Sequence, residues 1–361
     1  VSSRPATRFM RRLLAHELLE DLPRTFLPLA VDIQSCRERV FRGGPAAEAV
    51  RASCSLPGVF GVTWHEGRRY VDGCVMQNVP VWDDGAALDL PRVEGVVRAD
   101  VCVVGLGGSG LSAVAELLRR GVDVVGLDAG IVAGGAAGRN GGFLLAGIAA
   151  FHHDAVRELG RDKAVRLYEE TIAELDRFAA ATPTLVRRPG SLRIADTDAE
   201  RADCDRQFTQ MRADVLPVER YEGPEGVGLS FPRDGVFNPL ERCRHVARAA
   251  ITGGARLFER SAAVDVTGTR VTTPAGSVEC RSVIVAVDGR LDALLPELSA
   301  RVRTARLQML STAPTTEVVL ERPVYRRYGY EYYQQLPSGE VVLGGFRDVA
   351  GPGEWTLDAT P

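Results

Sequence analysis

Ala99 to Gly121 reads "ADVCVVGLGGSGLSAVAELLRRG", and this stretch decides the fold. An apolar run, Val101 to Val104, leads into G-x-G-x-x-G at Gly105, Gly107 and Gly110. Apolar residues at helical spacing follow and stop at Gly121; the next apolar run, "VDVVGLD", ends on Asp128. Strand, glycine turn, helix, strand and acid, in that order, are the context in which the fingerprint predicts a dinucleotide site. Each glycine has its own reason. Gly105 permits the tight turn, Gly107 lets backbone approach a pyrophosphate, and Gly110 lets helix and strand pack closely. Gly108 and Ser109 open the helix, where free N–H groups and the helix dipole favour an anion. Asp128, with Ala129 beside it, is expected to accept hydrogen bonds from ribose hydroxyls, which argues against a 2'-phosphate.

The fingerprint does not separate NAD from FAD, but a second glycine-rich loop follows the acid: "GGAAGRNGGFLLAG", Gly134 to Gly147. A simple NAD domain would continue into ordinary α/β crossovers. Here the loop is expected to wrap the middle of a longer cofactor. Arg139 and Asn140 are candidate polar contacts, and Gly138, Gly141 and Gly142 allow close approach.

Together "VCVVGLGGSG", "GLDAG" and "GGAAGRNGGFLLAG" resemble the D-amino-acid-oxidase-type, FAD-dependent amine and amino-acid oxidoreductases. The resemblance continues through "PGSLRIAD", "FNPLERCRHVARAAITGGARLFE", "VIVAVDG", "RLQMLSTAP" and "GEVVLGGF", covering about residues 97–348. It implies that Gly105, Gly107, Gly110 and Asp128 hold the ADP half of FAD, with Gly108, Ser109 and Ala129 in the same contact. It further implies that Arg139, Asn140, Gly141 and Gly142 lie along the flavin and that Val264 meets the adenine through its backbone. Ala286 to Gly289 match the family's Ala-Thr-Gly cofactor turn, from which Val287 and Asp288 depart. The implied reaction oxidises a C–N bond of a small amine or amino acid by hydride transfer to the flavin; the imine hydrolyses and oxygen usually reoxidises the cofactor. Because the flavin carries the chemistry, no catalytic residue is assigned in this part. Tyr330, Tyr332 and Tyr333 are candidates to line the substrate cavity, against the plainer reading of a tyrosine-rich sheet surface. Arg347 is read as a carboxylate anchor or, more plainly, a surface arginine. Family members finish with a further glycine-rich segment that returns to the flavin ring. Here the sequence ends at "EWTLDATP", so a C-terminally truncated oxidoreductase with an open isoalloxazine end is expected.

A different chemistry precedes it. "LPLAVDI", "VFRGG", "AVRASCSLPGVFGV" and "RRYVDGCVMQNVPV" resemble the C-terminal part of the patatin-like phospholipases over about residues 8–82. The matching positions are Ala52-Ser53, Pro57, Phe60, Asp72-Gly73, Asn78 and Pro80, with Cys74 replacing the second glycine of the usual D-G-G. The resemblance implies that Asp72 is the acid of a Ser-Asp dyad. A nucleophile must lie within hydrogen-bond reach of its base, and no G-x-S-x-G occurs in the chain. Asp72 is therefore expected to be an inactive relic in a D-G turn, and Cys54 and Cys74 are substitute nucleophiles without a suitably placed histidine.

The whole is expected to be α/β. A partial patatin-like α/β segment (1–85) and a linker (86–96) precede the oxidoreductase (97–361). In the latter a Rossmann-like FAD-binding domain (about 97–150 and 240–290) joins an incomplete antiparallel-sheet substrate domain (151–239 and 291–361). Helical spacing marks Thr7 to Phe26, Ala46 to Ser53, one long helix from Asp154 to Ala181, and Pro239 to Gly253. The strand around Leu29 is expected to want parallel neighbours. With 45% apolar and 25% charged residues, 361 residues bury two cores, and a net charge of −3 excludes an electrostatic nucleic-acid footprint. No apolar run reaches membrane-span length, and the opening "VSSRPATRFMRRLL", which lacks an apolar core and cleavage site, is not expected to act as a secretory signal. Seven dispersed cysteines without C-x-x-C, and five histidines without H-E-x-x-H, argue for a cytoplasmic protein with reduced thiols and no metal. Three functions stay open: an FAD-dependent oxidoreductase, a lipid acyl hydrolase working through Asp72, and a non-catalytic nucleotide-binding remnant. Oligomeric state is not legible.

Overall fold

The computed structural model describes residues 18–22, 28–32, 37–53, 63–72, 82, 87–298, 300–302, 304–305 and 307–345. Pro57, Phe60, Gly73, Asn78, Pro80 and Arg347, with Cys54 and Cys74, lie outside the described residues. The chain divides into two units, whose described residues fall within 18–72 and within 82–345.

In the first unit, β1 (Leu29–Asp32), β2 (Arg37–Val40), α1 (Ala46–Ser53), β3 (Thr63–His65) and β4 (Arg68–Asp72) follow in order. The sheet runs β2-β1-β4-β3, and every pair is antiparallel. This corrects the expectation of parallel neighbours for the strand at Leu29. Four residues connect β1 to β2, enough to reverse the chain and far too few for a parallel crossover. The turn between β3 and β4 puts Glu66 and Gly67 at φ 49° and 74°, the handedness that matches strand twist in a two-residue hairpin. Ala46, Ala49 and Ala52 recur on one face of α1 and pack with Phe41 and Tyr70. Of the helix expected over Thr7 to Phe26, the described part contains a single 3-10 turn, Leu19–Asp21. Asp72 is the last residue of β4, opposite Ala30.

The second unit begins with β5 (Gly95–Arg98), β6 (Val101–Val104), α2 (Gly108–Arg119), β7 (Val124–Leu127), α3 (Ala136–Arg139) and β8 (Phe143–Leu144). Next come α4 (His152–Leu159), α5 (Arg161–Ala181), β9 (Val186–Arg187), β10 (Ser191–Ile194), α6 (Asp198–Ala213), β11 (Glu219–Gly223), β12 (Gly226–Phe231) and β13 (Gly235–Phe237). Then α7 (Pro239–Thr252), β14 (Arg256–Phe258), β15 (Asp265–Val266), β16 (Arg270–Thr273), β17 (Gly276–Glu279), β18 (Ser282–Val285) and α8 (Leu291–Leu294) follow. The last strands are β19 (Gln308–Ser311), β20 (Val324–Arg326), β21 (Glu331–Gln335) and β22 (Val341–Gly345).

A four-stranded parallel sheet, β14-β7-β6-β18, gives the doubly wound order in which later strands lie on both sides of the first. A second small sheet, β15-β16-β17-β5, packs with it through Val93, Cys102, Val104, Val125, Leu127, Val271 and Val278, each worth about 1.5–3 kcal/mol on burial if it is a full Val or Leu side chain. Another sheet has seven strands, β11-β12-β10-β20-β21-β22-β19, antiparallel throughout except for the β10–β20 pair. The single helix expected from Asp154 to Ala181 is two helices, because Gly160 at φ 84° separates α4 from α5. No helix among the described residues is long and apolar enough to cross a membrane.

Candidate cofactor and substrate site

The fingerprint turn is closed by backbone on two sides. Gly105 sits at φ 98°, and a Cβ there would lie 2.3 Å from the Ala286 carbonyl oxygen. A Cβ on Gly110 would lie 1.8 Å from the Gly105 carbonyl oxygen and 3.5 Å from the Ala286 side chain. Ala286 reaches this point because β18 runs parallel to β6 and its N–H donates to the Val104 carbonyl at 2.7 Å. Sequence positions far apart, Gly105, Gly110 and Ala286, are thus brought together. Gly107 caps α2 without a side-chain bond, and Gly108 and Ser109 are exposed in its first turn. Their N–H groups lack an intrahelical acceptor, as at any helix start.

Asp128 lies beside this turn with both oxygens engaged: Oδ2 accepts from Leu106 N–H at 2.9 Å and Oδ1 from Gly130 N–H at 2.8 Å. Each carboxylate oxygen keeps a further lone pair for a ribose hydroxyl. Burial lifts the Asp128 pKa above the usual range, against the two backbone bonds that lower it. Ala129 is exposed next to it. The Val264 N–H is engaged with the Thr272 carbonyl at 2.9 Å, and its side chain is exposed. The Gly289 carbonyl accepts from the Thr304 hydroxyl at 3.0 Å.

The second glycine loop is held by its own atoms. The Asn140 amide donates to the carbonyls of Ala136 (3.2 Å) and Ala137 (2.8 Å), and its oxygen accepts from Gly142 N–H at 2.9 Å. That side chain therefore ends α3 and sets the loop. Gly138 has no room for a Cβ, which would meet the Ala133 carbonyl at 2.3 Å and Leu240 of α7 at 2.9 Å. Gly142, at φ 67°, would meet the Phe237 carbonyl at 2.3 Å. Arg139 is exposed at the end of α3, with no carboxylate within 4.0 Å among the described residues.

Two residues outside the expected set complete the loop. Trp82 is buried; its indole N–H donates to the Asn140 carbonyl at 3.0 Å, and its own carbonyl accepts from Asn238 at 3.3 Å. Gln334 of β21, also buried, donates through Nε2 to the carbonyls of Gly141 and Gly142. The Gln334 Oε1 is buried without a partner among the described residues. An open helix start, a closed glycine turn and an orphaned acceptor at the second loop fit the requirements of a long dinucleotide such as FAD.

Beyond the loop the chain lines a cavity of about 350 Å³ with Leu145 to Ala150, His152, Tyr168, Arg193, Asp234 and Tyr325 among its walls. Sheet periodicity explains which strand residues face it. Ser191 and Arg193 are two apart on β10, and Arg193 lies opposite Tyr325 of β20, which pairs with Tyr332 of β21. Leu192, Ile194 and Val324 form a core cluster with Tyr333 packed against it, and Leu192 also borders the cavity. Of the three candidate tyrosines, Tyr332 stacks on Tyr325 at 5.7 Å and its ring touches Gly141, linking cofactor loop to cavity. Tyr333 faces the opposite core, and Tyr330 is exposed at the turn before β21. None of the three lines the cavity, which takes Tyr325 and Tyr328.

Asp234 is buried at the cavity wall, accepting from the Ser191 hydroxyl at 2.6 Å and Ala146 N–H at 2.9 Å. Burial pushes its pKa up to about 6, against those two bonds. Among the described residues, no group of three or more His, Cys, Asp or Glu side chains is placed to hold a metal ion.

Comparison with known proteins gives the chain its family. A family model described as "FAD dependent oxidoreductase" matches residues 100–360, and one described as "Patatin-like phospholipase" matches residues 1–84. The Haemophilus influenzae "Probable oxidoreductase OrdL" is 25% identical over 70% of this chain and 66% of its own length. The Escherichia coli "Gamma-glutamylputrescine oxidoreductase" is 28% identical over 69% of this chain and 65% of its own length. The chain thus spans about two thirds of these relatives (66% and 65%). Among solved structures, glycine oxidase from Geobacillus kaustophilus superposes with a TM-score of 0.55 at 18% identity, over 69% of this chain and 72% of that one. The Proteus vulgaris L-amino acid deaminase lacking its specific insertion gives 0.58 at 18% identity, over 78% and 77%. At that identity the likeness establishes the fold, while the family match across residues 100–360 goes further: the chain belongs to the FAD dependent oxidoreductase family.

Proposed function

We propose that this chain oxidises the C–N bond of a small amine or amino acid, with FAD held in the second unit. When bound, FAD supplies the acceptor for the two electrons and the hydrogen removed from carbon. The protein's part is to hold and orient. The first-turn N–H groups of Gly108, Ser109 and Gly110 would face the pyrophosphate, and Asp128 the ribose. Arg139 and the backbone of Asn140, Gly141 and Gly142 would lie along the flavin side, with Val264, Ala286 and Gly289 completing the cofactor contact. The Asn140 side chain, Trp82 and Gln334 fix that loop. Substrate would lie beside the stacked Tyr332–Tyr325 pair, between that loop and the cavity.

The single observation that carries this reading is the closure of the fingerprint turn by Gly105, Gly110 and Ala286, which leaves the α2 start open. Within it, residues 97–150 and 240–290 form the nucleotide-binding parts, and 151–239 and 291–361 the substrate parts. Residues 1–85 are a patatin-like segment whose Asp72 has no catalytic duty, joined through residues 86–96. The named relatives that act on γ-glutamylputrescine and on amino acids support a nitrogen-bearing substrate. Cys102, Cys204, Cys243 and Cys280 are free, which supports a reducing, cytoplasmic setting. The test is anaerobic: the FAD-loaded chain is mixed with a panel of primary and secondary amines, amino acids and the matching 2-hydroxy acids. Bleaching of the visible flavin band by nitrogen compounds alone is expected. Bleaching by the hydroxy acids, or by nothing in the panel, contradicts the reading.

A further inference from the structure

Helix α6 ends in a left-handed turn occupied by valine. The Leu216 N–H donates to the Met211 carbonyl at 2.9 Å and the Val215 N–H to the Arg212 carbonyl at 3.3 Å, the paired bonds of a Schellman cap. That motif places the residue after the cap in the left-handed region, where glycine is the usual occupant; Val215 has φ 59°. A β-branched side chain is an outlier at such a φ, because its Cβ crowds the following carbonyl. Packing within the chain does not offset that strain. Val215 is 91% exposed, more than any other large apolar side chain among the described residues. The turn is held from within instead: the buried Asp214 carboxylate bonds His152 Nε2 at 2.7 Å and accepts from Arg161 and from Gln210. Strain that the surroundings fix in place, with no gain inside the fold, points to a role outside it.

Val215 stands beside a groove between α5 and α6, with Ile172 and Leu216 among its walls. Two opposite charges line the same groove, Glu169 of α5 and Arg212 in the last turn of α6. Both are exposed, and neither side chain has an ion-pair or hydrogen-bond partner among the described residues, each other included. The third charge there, Arg233, is already paired with Asp176 at 2.6 Å. A partner for this surface must offer an apolar groove to a protruding valine, an apolar projection to the groove, and one charge of each sign. The surface itself offers all of these. In a two-fold contact a patch meets its own copy, so acid and base on one patch face base and acid on the other. We propose that the second unit pairs with a second copy of this chain through this surface. Val215 of one protomer enters the groove of its partner, and Glu169 faces the partner's Arg212. The pairing does not depend on the cofactor reading.

Sedimentation velocity on the purified full chain, over a dilution series down from about 100 μM, tests it. Wild type is a dimer at the top of the series and dissociates on dilution. Val215→Gly weakens association by about ten-fold or more, since two-fold symmetry counts each substitution twice. At a dilution where both chains are monomeric, the same variant melts about 2 °C higher than wild type, because the left-handed strain is gone. A residue that served the fold alone would not move these two readouts in opposite senses. Glu169→Arg and Arg212→Glu each dissociate the dimer, and the double variant, which exchanges the two signs, restores it. A wild type that is monomeric throughout the series overturns the proposal. So does a dimer indifferent to Val215→Gly, a lower melting temperature for that variant, or a double charge exchange that associates no more tightly than the single ones.

Discussion

Gly110 and Gly108 stand two residues apart in one turn and meet opposite surroundings. A Cβ on Gly110 would lie 1.8 Å from a backbone oxygen that has nowhere to go, whereas nothing stands within 4 Å of one on Gly108. Gly110→Ala should therefore destabilise the unit by about 3 kcal/mol or more in urea unfolding, through overpacking against backbone. Gly108→Ala should be neutral or stabilising by up to about 1 kcal/mol, since alanine is the better helix former. Asp234 offers a pH-dependent contrast. Its folded pKa is raised from 3.8 to about 6, so the folded state binds the proton more tightly than the unfolded chain. The sign follows: its contribution is fully favourable below the unfolded value and is lost as pH rises through about 6. Comparing wild type with Asp234→Asn cancels the other carboxylates; between about pH 4 and pH 7 wild type should lose stability relative to the variant by up to about 3 kcal/mol. A constant difference across that range contradicts the assignment. At this scale the tight turn of the glycines, with Asp128 beside it, was legible in sequence because its geometry follows from local spacing. Arg193, Asp234, Gln334 and Trp82 were not, since each gains its meaning from a partner far away in the chain, such as Gln334 at Gly141.

Among the elements, α6 was missed for a physical reason: it is polar along most of its length, and its apolar face is a narrow one of Cys204, Phe208 and Met211. Its start did carry a signal in "TDAE", a capping box. Thr197 Oγ1 accepts from Glu200 N–H at 3.2 Å, and Glu200 Oε2 accepts from Thr197 N–H at 3.0 Å. The same carboxylate reaches further, with Oε1 accepting from Tyr328 N–H at 3.0 Å, so this helix start also fixes a rim residue of the cavity. Thr197→Ala should cost about 1 kcal/mol in thermal unfolding. Glu200→Ala should cost roughly 2–3 kcal/mol, because buried Glu200 serves three backbone N–H groups. Equal costs would contradict the shared role of Glu200. The segment read as a linker also carries structure: Leu90 N–H donates to Glu259 at 3.1 Å, Val93 N–H to Ser261 at 2.9 Å, and Gly95 and Val96 belong to β5. Its glycine and proline content reads as a loop, while its attachment depends on a buried carboxylate some 170 positions later (Leu90 to Glu259, 169).

At the scale of the whole molecule, two resemblances occupy one chain, and their standing differs. The segment matched at residues 1–84 supplies Asp72 at the end of β4, and no G-x-S-x-G motif accompanies it. The region matched at 100–360 brings the fingerprint, Asp128, Ala286 and the second glycine loop into one arrangement. Fold class was legible because hydrophobic period and glycine punctuation are local properties. Strand order in the seven-stranded sheet, and the cavity it faces, depend on pairings between residues as distant as Leu192 and Val324. The central claim is that this arrangement holds FAD, and the most direct measurement is the flavin-to-protein ratio after loading with FAD and gel filtration. The account predicts close to one FAD per chain for wild type and a large loss for Gly110→Val, in which a branched side chain enters backbone-filled space. A wild-type chain that emerges colourless, or a Gly110→Val chain that retains the full complement, would contradict it.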